Sequence, residues 1–377
     1  MQIVCVGGGA AGLYFAILMK RMSSAHRVTV IERSPAKDST GWGVVFWADL
    51  LADLRATDPQ TARRVWKRAF QWHGQALELR GTRTEVEGFG YSIGRSTLLE
   101  VLTSRAMELG VNVEVGHEIS ELAELPDADL IVACDGANST LRRRESDRFI
   151  PNVSVGRNKY VWLGTRQVFK SFTFAFVETD AGWIWCHAYA FNERTSTFIV
   201  ECSPETWSGL GFDALDTRDA IALLEEIFAQ QLGSSPLQTA GADDAALPWH
   251  NFRTVTNKHW FAGNAVLMGD AAHTTHFSIG HGTLLAVRDA IALANELRGQ
   301  GAPEAQLAAY ERNQRAALVQ PQAEAASSAQ WFENIDSHIE APEPDFFRRL
   351  RSRHEQPFGG RSDSHRRGVF PLRSTAD

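Results

Sequence analysis

A short apolar run, Met1 to Val6 (MQIVCV), ends directly on Gly7, Gly9 and Gly12 of GGGAAG. The run reads as a buried parallel strand, and Leu13 to Arg21 continues as a helix. A second strand, Arg27 to Glu32 (RVTVIE), closes on an acid about 20 residues beyond the last glycine, where a ribose hydroxyl is held. Strand, glycines, helix, strand and acid in this order are the βαβ dinucleotide fingerprint. Gly7 permits the tight turn, Gly9 lets backbone N–H groups reach a pyrophosphate, and Gly12 lets the helix close on the strand. The helix N-terminus adds its partial positive charge. Ala11 inside the turn and Arg33 beside the acid complete this first set of candidates.

Two further strands deliver acids to the carboxyl edge of a parallel sheet, where ligands bind in doubly wound folds. Ala128 to Cys134 leads into Asp135-Gly136-Ala137-Asn138-Ser139, with Arg142 three residues on. Asn264 to Met268 leads into Gly269-Asp270-Ala271-Ala272-His273, then a loop (Thr274 to Gly282, with Gly280) and an amphipathic helix from Thr283 to Leu297. Between them, Arg157 to Cys202 changes to alternating strands without helices, an antiparallel layer. Trp183, Trp185, His187, Tyr189 and Phe191 occupy every second position and fall on one face. Elsewhere, Asp49 to Phe70 is helical in pattern with a basic cluster at Arg63, Arg64, Lys67 and Arg68, and Gln75 to Arg83 reads as a hairpin arm. In Gly41-Trp42-Gly43-Val44-Val45-Phe46 the glycines suggest backbone close to a ligand. Arg95 opens a helix for which Ser96 or Thr97 is the expected cap, with Glu100 in capping-box reach. Ser34 to Thr40 and Leu232 to Asp244 read as polar connections. Asp216 to Gln231 and Ala305 to Trp331 read as helices, and Phe346 to Asp377, with eight arginines, as a flexible or docking tail.

A chain of 377 residues with 44% hydrophobic content can hold two domains or one large one with an insertion. A net charge of −7 argues against a general nucleic-acid binder. No run of about 18 apolar residues predicts a membrane span. The first strand begins at Met1, which leaves no room for a signal peptide, and a cytoplasmic protein is expected. Cys5, Cys134, Cys186 and Cys202 sit in apolar runs without metal-type spacing, so free buried thiols and no metal site are expected.

Taken together, Gly7-x-Gly9-x-x-Gly12 with Glu32, Asp135-Gly136-Ala137-x-Ser139-x-x-Arg142 and Gly269-Asp270-Ala271-Ala272-His273 resemble the signature of the single-component flavin-dependent aromatic hydroxylases, over residues 1 to about 340. GWGVVF, FVETDAGW, STFIVEC and HFSIG with the following GT are similar to salicylyl-CoA 5-hydroxylases and the monooxygenase part of 2-aminobenzoyl-CoA monooxygenase; GRNKY and HFSIGHGT also resemble violacein-pathway indole hydroxylases. The resemblance implies an α/β protein: a Rossmann-like FAD-binding domain of the GR2 type (1–75, 91–155, 250–340) with an inserted antiparallel substrate sheet (76–90, 156–249) and a basic tail (341–377). It implies tight non-covalent FAD, NADH or NADPH as a visiting reductant, O2 as co-substrate, a small aromatic substrate that is CoA-linked or, as the alternative, an indole-type or other non-CoA aromatic, and a monomer or homodimer. The cofactor residues it implies are Gly7, Gly9, Ala11, Gly12, Glu32, Arg33, Val45, Arg95, Asp135, Gly136, Asp270, Gly280, Gly282 and Thr283. Among them, Glu32 holds the adenosine ribose, Arg95 lies near the pyrophosphate, Asp270 is on the ribityl or pyrophosphate side, and N–H groups near Gly282 and Thr283 face the flavin N1–C2=O edge. The catalytic candidates are His187, His276 and Tyr189, with an imidazole taking the substrate's phenolic proton. His276-Phe277 stands where that family usually has prolines. A halogenase is disfavoured because Trp183-Ile184-Trp185 runs into Cys186-His187 rather than Ile-Pro. A flavin-dependent cyclase or a non-catalytic flavoprotein stays open and is separated by stoichiometric NAD(P)H consumption.

Overall fold

The computed structural model describes residues 1–34, 41–240, 246–299 and 301–353. Its first strands are β1 (Gln2–Val6), β2 (Arg27–Glu32), β3 (Gly43–Phe46), β4 (Phe70–Leu79), β5 (Thr82–Gly94), β6 (Asn112–Val115) and β7 (Leu130–Ala133). There follow β8 (Pro151–Thr165), β9 (Phe172–Thr179), β10 (Gly182–Ala190), β11 (Ser196–Cys202), β12 (Leu237–Gln238), β13 (His250–Asn257), β14 (Phe261–Ala262) and β15 (Ala265–Leu267). One sheet has the order β14-β15-β7-β1-β2-β6, parallel from β15 to β6. The other has the order β12-β8-β11-β10-β9-β4-β5-β3, with β13 also paired to β8, and is antiparallel except where β4 meets β9. Strands β3, β13 and the first half of β4 belong to this second sheet, so it draws on chain outside 76–90 and 156–249.

The parallel sheet forms because its strands are apolar on both faces, as strands covered by helices must be. Ile3, Val4, Cys5 and Val6 are buried, each large aliphatic contributing about 1.5–3 kcal/mol. The helix Ala10–Met22 crosses from β1 to β2 and is buried from Ala11 to Met19, packed against the helix Gly282–Glu296. On β10 the alternation holds: Trp183, Trp185, His187 and Tyr189 share one face, Ile184, Cys186 and Ala188 the other. The first face meets Phe332 and Phe346 from the C-terminal helices, the second meets the helix Thr217–Ile227. Trp183 and Trp185 therefore pack in the core, while His187 and Tyr189 line the cavity beneath the sheet. Phe191 lies beyond the end of β10, with its ring against Gly43.

Several local expectations change, each for a physical reason. The helix from Asp49 breaks into Ala48–Thr57 and Pro59–Arg68, because the residue before a proline is pushed out of the helical region. Asp58 at that break is buried and accepts from Arg105 Nε at 2.9 Å and Thr61 Oγ1 at 2.7 Å. The arm at Gln75 to Arg83 holds the turn itself: Arg80 and Gly81 both have positive φ, 50° and 77°, which a two-residue hairpin turn requires. The helix Arg95–Glu108 is capped by Gly94 without a side-chain bond, not by Ser96 or Thr97. The largest change concerns the expected tail. Residues Glu343–Ser352 form a helix whose Phe346, Phe347 and Leu350 are buried, and Arg353 after it is buried too. Residues 35–40, 241–245 and 354–377, including Arg361, Arg366, Arg367 and Arg373, lie outside the described residues. Among the described residues no helix is long and apolar enough to cross a membrane, no cluster could hold a metal ion, and all four cysteines are free and buried.

Candidate active site

A cleft runs along the carboxyl ends of β1, β2 and β7 and continues beneath the large sheet. Its first chamber, about 430 Å³, is lined by Gly7, Gly9, Ala11, Glu32, Arg33, Arg95, Asp135, Gly136 and Asp270, among others. The second, about 380 Å³, is lined by Val45, Trp47, Tyr160, Phe172, His187, Tyr189, Phe277 and Gly280. Val44, Asn138, Trp162, Asp270, Gly282 and Thr283 line both, so the chambers are continuous. A larger cavity of about 550 Å³, around Glu78, Arg80, Trp183 and Gln231, shares no lining residue with the cleft.

The glycine turn is tight for steric reasons. Gly7 has φ 114°, and a Cβ there would meet the Cys134 carbonyl oxygen at 2.3 Å. A Cβ on Gly12 would meet the Gly7 oxygen at 2.3 Å and Cys134 Sγ at 2.6 Å. Around Gly9 nothing lies within 4 Å of that position, which leaves space on the cleft side. The helix Ala10–Met22 has neither a side-chain cap nor an acid in its first turn, and neither has Gly282–Glu296. Two uncapped helix N-termini thus meet one cleft, the donor set an anionic group needs.

Asp135 Oδ2 accepts from Thr140 N at 2.8 Å, while its buried Oδ1 has no protein partner. Arg142, buried, donates to the carbonyls of Ala137 and Ala271 and ties the Asp135-Gly136 turn to the Gly269–Ala271 turn. Glu32 Oε2 accepts from Gly8 N at 2.6 Å and Oε1 from Ser34 N at 3.0 Å, so this acid orders the glycine turn as well as facing the chamber. Arg33 is exposed and pairs with Glu118 at 3.7 Å. Burial lowers the Arg95 pKa, with Glu32 and Asp270 opposing. Asp270 is exposed by surface area and lines both chambers, and desolvation by the surrounding protein raises its carboxyl while His273 opposes. Behind it, His273 Nε2 is 2.8 Å from the fully buried Asp289, which also accepts from Gly269 N and Gln314.

The glycines of the Gly41–Phe46 stretch face protein rings: Trp162 lies against Gly41 and Phe191 against Gly43. Val45 touches Gly280, whose φ is 67°.

The second chamber brings the catalytic candidates apart. His187 lines it and bonds through Nε2 to Glu201 Oε2 at 3.2 Å; Glu201 also accepts from Trp185 Nε1 and Asn158 Nδ2. Burial lowers His187 against the pull of Glu201, and Glu201 is lowered by its bonds although burial opposes. The pair is therefore neutral imidazole and carboxylate, which makes Nε2 the donor and Nδ1 the acceptor. Tyr189 donates its hydroxyl to the Gly43 carbonyl at 2.9 Å, and burial raises its pKa. His276 does not line this chamber: its Nδ1 is 2.7 Å from Ser278 Oγ, and it borders a side cavity of about 250 Å³ with Glu201, Tyr160 and Phe252. Residues not singled out in the sequence, Asn138, Trp162, Glu201, Asp289 and Arg253, also shape the site. Glu201 had a signal: it is the acid inside STFIVEC, in register with Trp185.

The parallel sheet, uncapped helix ends and adjoining aromatic chamber define a flavoprotein monooxygenase of the two-sheet class. The chain belongs to the FAD binding domain family, whose description matches residues 1–325. It is 37% identical over 350 residues to a salicyloyl-CoA 5-hydroxylase of Streptomyces sp, over 90% of this chain and 66% of that enzyme. It is 33% identical to a 3-hydroxy-4-methyl-anthranilyl-[aryl-carrier protein] 5-monooxygenase of Streptosporangium sibiricum, over 89% of this chain and 90% of that one. In fold it is similar to 2-methyl-3-hydroxypyridine-5-carboxylic acid oxygenase, with TM-score 0.72 at 19% identity, over 95% and 99% of the two chains. The protein is an FAD-dependent aromatic hydroxylase of the kind that uses NAD(P)H and O2.

Glu32→Ala is expected to weaken FAD binding through loss of a charge-assisted bond, about 1.5–3 kcal/mol, while the chain stays folded. Fluorescence titration of apoprotein with FAD measures it; unchanged affinity would remove Glu32 from the cofactor site.

Proposed function

We propose that this enzyme hydroxylates the ring of an aryl thioester, most specifically a salicylyl-CoA-type substrate at the 5-position. The observation that carries a ring hydroxylase reading is the chamber of about 380 Å³ in which His187, bonded to buried Glu201, adjoins the dinucleotide cleft. The thioester part is supported by the similarity to the two relatives above, which act on a CoA and an aryl-carrier-protein substrate. A chamber of this size encloses a ring and its carbonyl and leaves the pantetheine and phosphates outside.

Gly7, Gly9, Ala11, Gly12 and Asp135, with the Ala10 helix N-terminus, hold the pyrophosphate region, and Glu32 the adenosine ribose. Gly136, Arg33 and Arg95 flank them. Asp270 would lie on the ribityl or pyrophosphate side, the N–H groups at Gly282 and Thr283 would face the flavin N1–C2=O edge, and Val45 and Gly280 would close over it. Held by these residues and reduced by NAD(P)H, FAD would supply the oxygen-transfer chemistry, with one oxygen atom of O2 going to the ring and the other to water. His187 Nδ1 accepts the substrate's phenolic proton, which pushes electron density into the ring carbon attacked. Tyr189, its hydroxyl committed to Gly43, positions β3. The arginines of residues 63–68 and Arg348, Arg349 and Arg351 do not line the cleft, and Arg64 is paired with Glu108. Exposed Arg253 does line the ring chamber and is the cation assigned to the thioester arm in this reading.

The test compares salicylyl-CoA, its 3′-dephospho form, salicylyl-pantetheine, free salicylate and indoles, measuring NAD(P)H oxidation and hydroxylated product. The thioesters are expected to turn over best. Free salicylate or an indole turning over equally well would overturn the thioester assignment. Pantetheine matching CoA would shift recognition from the phosphates to the arm shared with carrier proteins.

A further inference from the structure

Beyond the matched segment 1–325, the chain folds back onto the ring chamber. The helix Glu343–Ser352 seats Phe346, Phe347 and Leu350 in the core below β10 and ends at Arg353, which is 4% exposed. The guanidinium lies over the rings of Phe174 and Phe332, 5.0 and 5.3 Å from their centroids. Nη2 donates to the Ser278 carbonyl at 3.1 Å and Nε to Ser328 Oγ at 3.1 Å, and Nη1 donates to the Leu350 carbonyl. Ser278 lines the ring chamber, and its hydroxyl is 2.7 Å from both Ser328 Oγ and His276 Nδ1. Phe174 and Phe332 also hold His187, at centroid distances of 5.1 and 5.0 Å.

We propose that Arg353 is a positioning residue of the ring chamber: it fixes the turn Phe277–Ile279 through the Ser278 carbonyl and seats His187 through Phe174 and Phe332. The C-terminal helix is then part of the active site, although it lies outside the matched family segment. Burial for stability alone is a poor account of this residue. A buried ion forfeits its hydration, and well-packed apolar side chains commonly serve as well or better. What an apolar residue could not do is hold a backbone carbonyl of the turn, a hydroxyl of the neighbouring helix and two ring faces with one planar group. The charge has a second effect. Burial lowers Arg353 to about 9, with Glu201 opposing, so it stays a cation at neutral pH. The groups facing His187 are Glu201 from β11, His276 from the turn and Arg353 from the C-terminal end. Of these, Arg353 adds to burial in keeping His187 and His276 neutral.

This inference rests on the proposed role of His187, and its test separates the two. The full-length, FAD-loaded protein is prepared as Arg353→Met and Arg353→Lys, with Arg348→Met, exposed on the same helix, as the control. Two readouts are taken: product formed per NAD(P)H, and the titration of His187 followed by [15N]histidine NMR, which needs no turnover. For Arg353→Met the product yield should fall about tenfold, as misplaced groups cause, and His187 should titrate at higher pH. Arg353→Lys should restore the titration but not the yield, because an ammonium keeps the charge and loses the fork. Arg348→Met should match the wild type. Folded Arg353 variants that lose thermal stability alone, with yield and titration unchanged, would overturn the proposal. If Arg353→Met does not fold, a wild-type yield in Arg353→Lys overturns it. A wild-type enzyme that turns over no aromatic defeats the proposed function instead, and the His187 titration still decides whether Arg353 acts on it.

Discussion

His187→Gln will slow hydroxylation by about 10²–10⁴-fold while the protein stays folded and FAD-replete, the usual effect of losing a general base. Glutamine preserves the donor toward Glu201 but has no titratable acceptor in the ring chamber. The same change at His276 should have a far smaller effect, because that imidazole is bonded to Ser278 and does not line the chamber. Glu201→Gln should fall between them: the bond to His187 Nε2 survives in weaker form, and the neutral tautomer with acceptor Nδ1 is no longer enforced. The measurement is single-turnover product formation across pH for the three variants. In the wild type, the rate should fall on the acid side as His187 takes up a proton; because burial depresses His187, that limb lies below the ordinary histidine range. If His187→Gln forms product at near wild-type rate, solvent removes the phenolic proton and the base assignment is wrong.

The contrast between these two histidines shows what a sequence can and cannot display. The dinucleotide cleft was legible because its constraints are local: a turn at Gly7, a helix start at Ala10 and an acid at Glu32 are all set within one βαβ unit. The second sheet was legible from period-two alternation on β10 and β11. That alternation placed Trp183, Trp185, His187 and Tyr189 together but could not say which would meet a cavity and which would meet the C-terminal helices. Nor could it separate His276 from the chamber, since the two sides of a short turn differ only in three dimensions. Asp289 and Arg353, and the role though not the presence of Arg142, were opaque for a different reason. Their partners lie up to 129 residues away, as in the bond from Arg142 to Ala271. Arg353 was also masked by its neighbours. A helix reading Phe-Phe-Arg-Arg-Leu-Arg-Ser-Arg has its apolar stripe at Phe346 and Leu350, and arginine at the next position of the same face looks like surface charge. Asp58-Pro59 shows the reverse case, in which a local rule at a proline was available and decided the helix break.

Acid should release the cofactor and unfold the protein over a narrow range, because two histidines beside the cleft are held neutral. Burial lowers His276 and His281 from 6.5 to about 4 each; Arg288 also lowers His281, and His187 and Arg353 also lower His276. The sign follows from where the proton goes. Below about 6.5 the unfolded chain takes up protons that the folded chain refuses, so the stability present above that pH is lost as pH falls toward about 4. A depression of this size corresponds to on the order of 3 kcal/mol for each histidine, a large share of a typical net stability of about 5–15 kcal/mol. His187 shifts the same way, while His273, raised by Asp289 against burial, works in the other direction: its contribution is full below the ordinary histidine range and is lost only as pH rises. His26, His250 and His338 are depressed as well, so among the described histidines six are lowered against one raised, and the acid side loses. His276 supports the turn Phe277–Ile279 and His281 precedes the helix Gly282–Glu296, so protonation strikes the segment proposed above to face the flavin ring. Urea denaturation and FAD fluorescence between pH 7.5 and about 4.5 should therefore move together. The double variant His276→Asn/His281→Asn should show a much shallower pH dependence, whatever its stability at pH 7.5. A wild-type stability that stays flat from pH 7 to about 5, or a double variant as acid-sensitive as the wild type, would mean that these two imidazoles are not held neutral in the folded state.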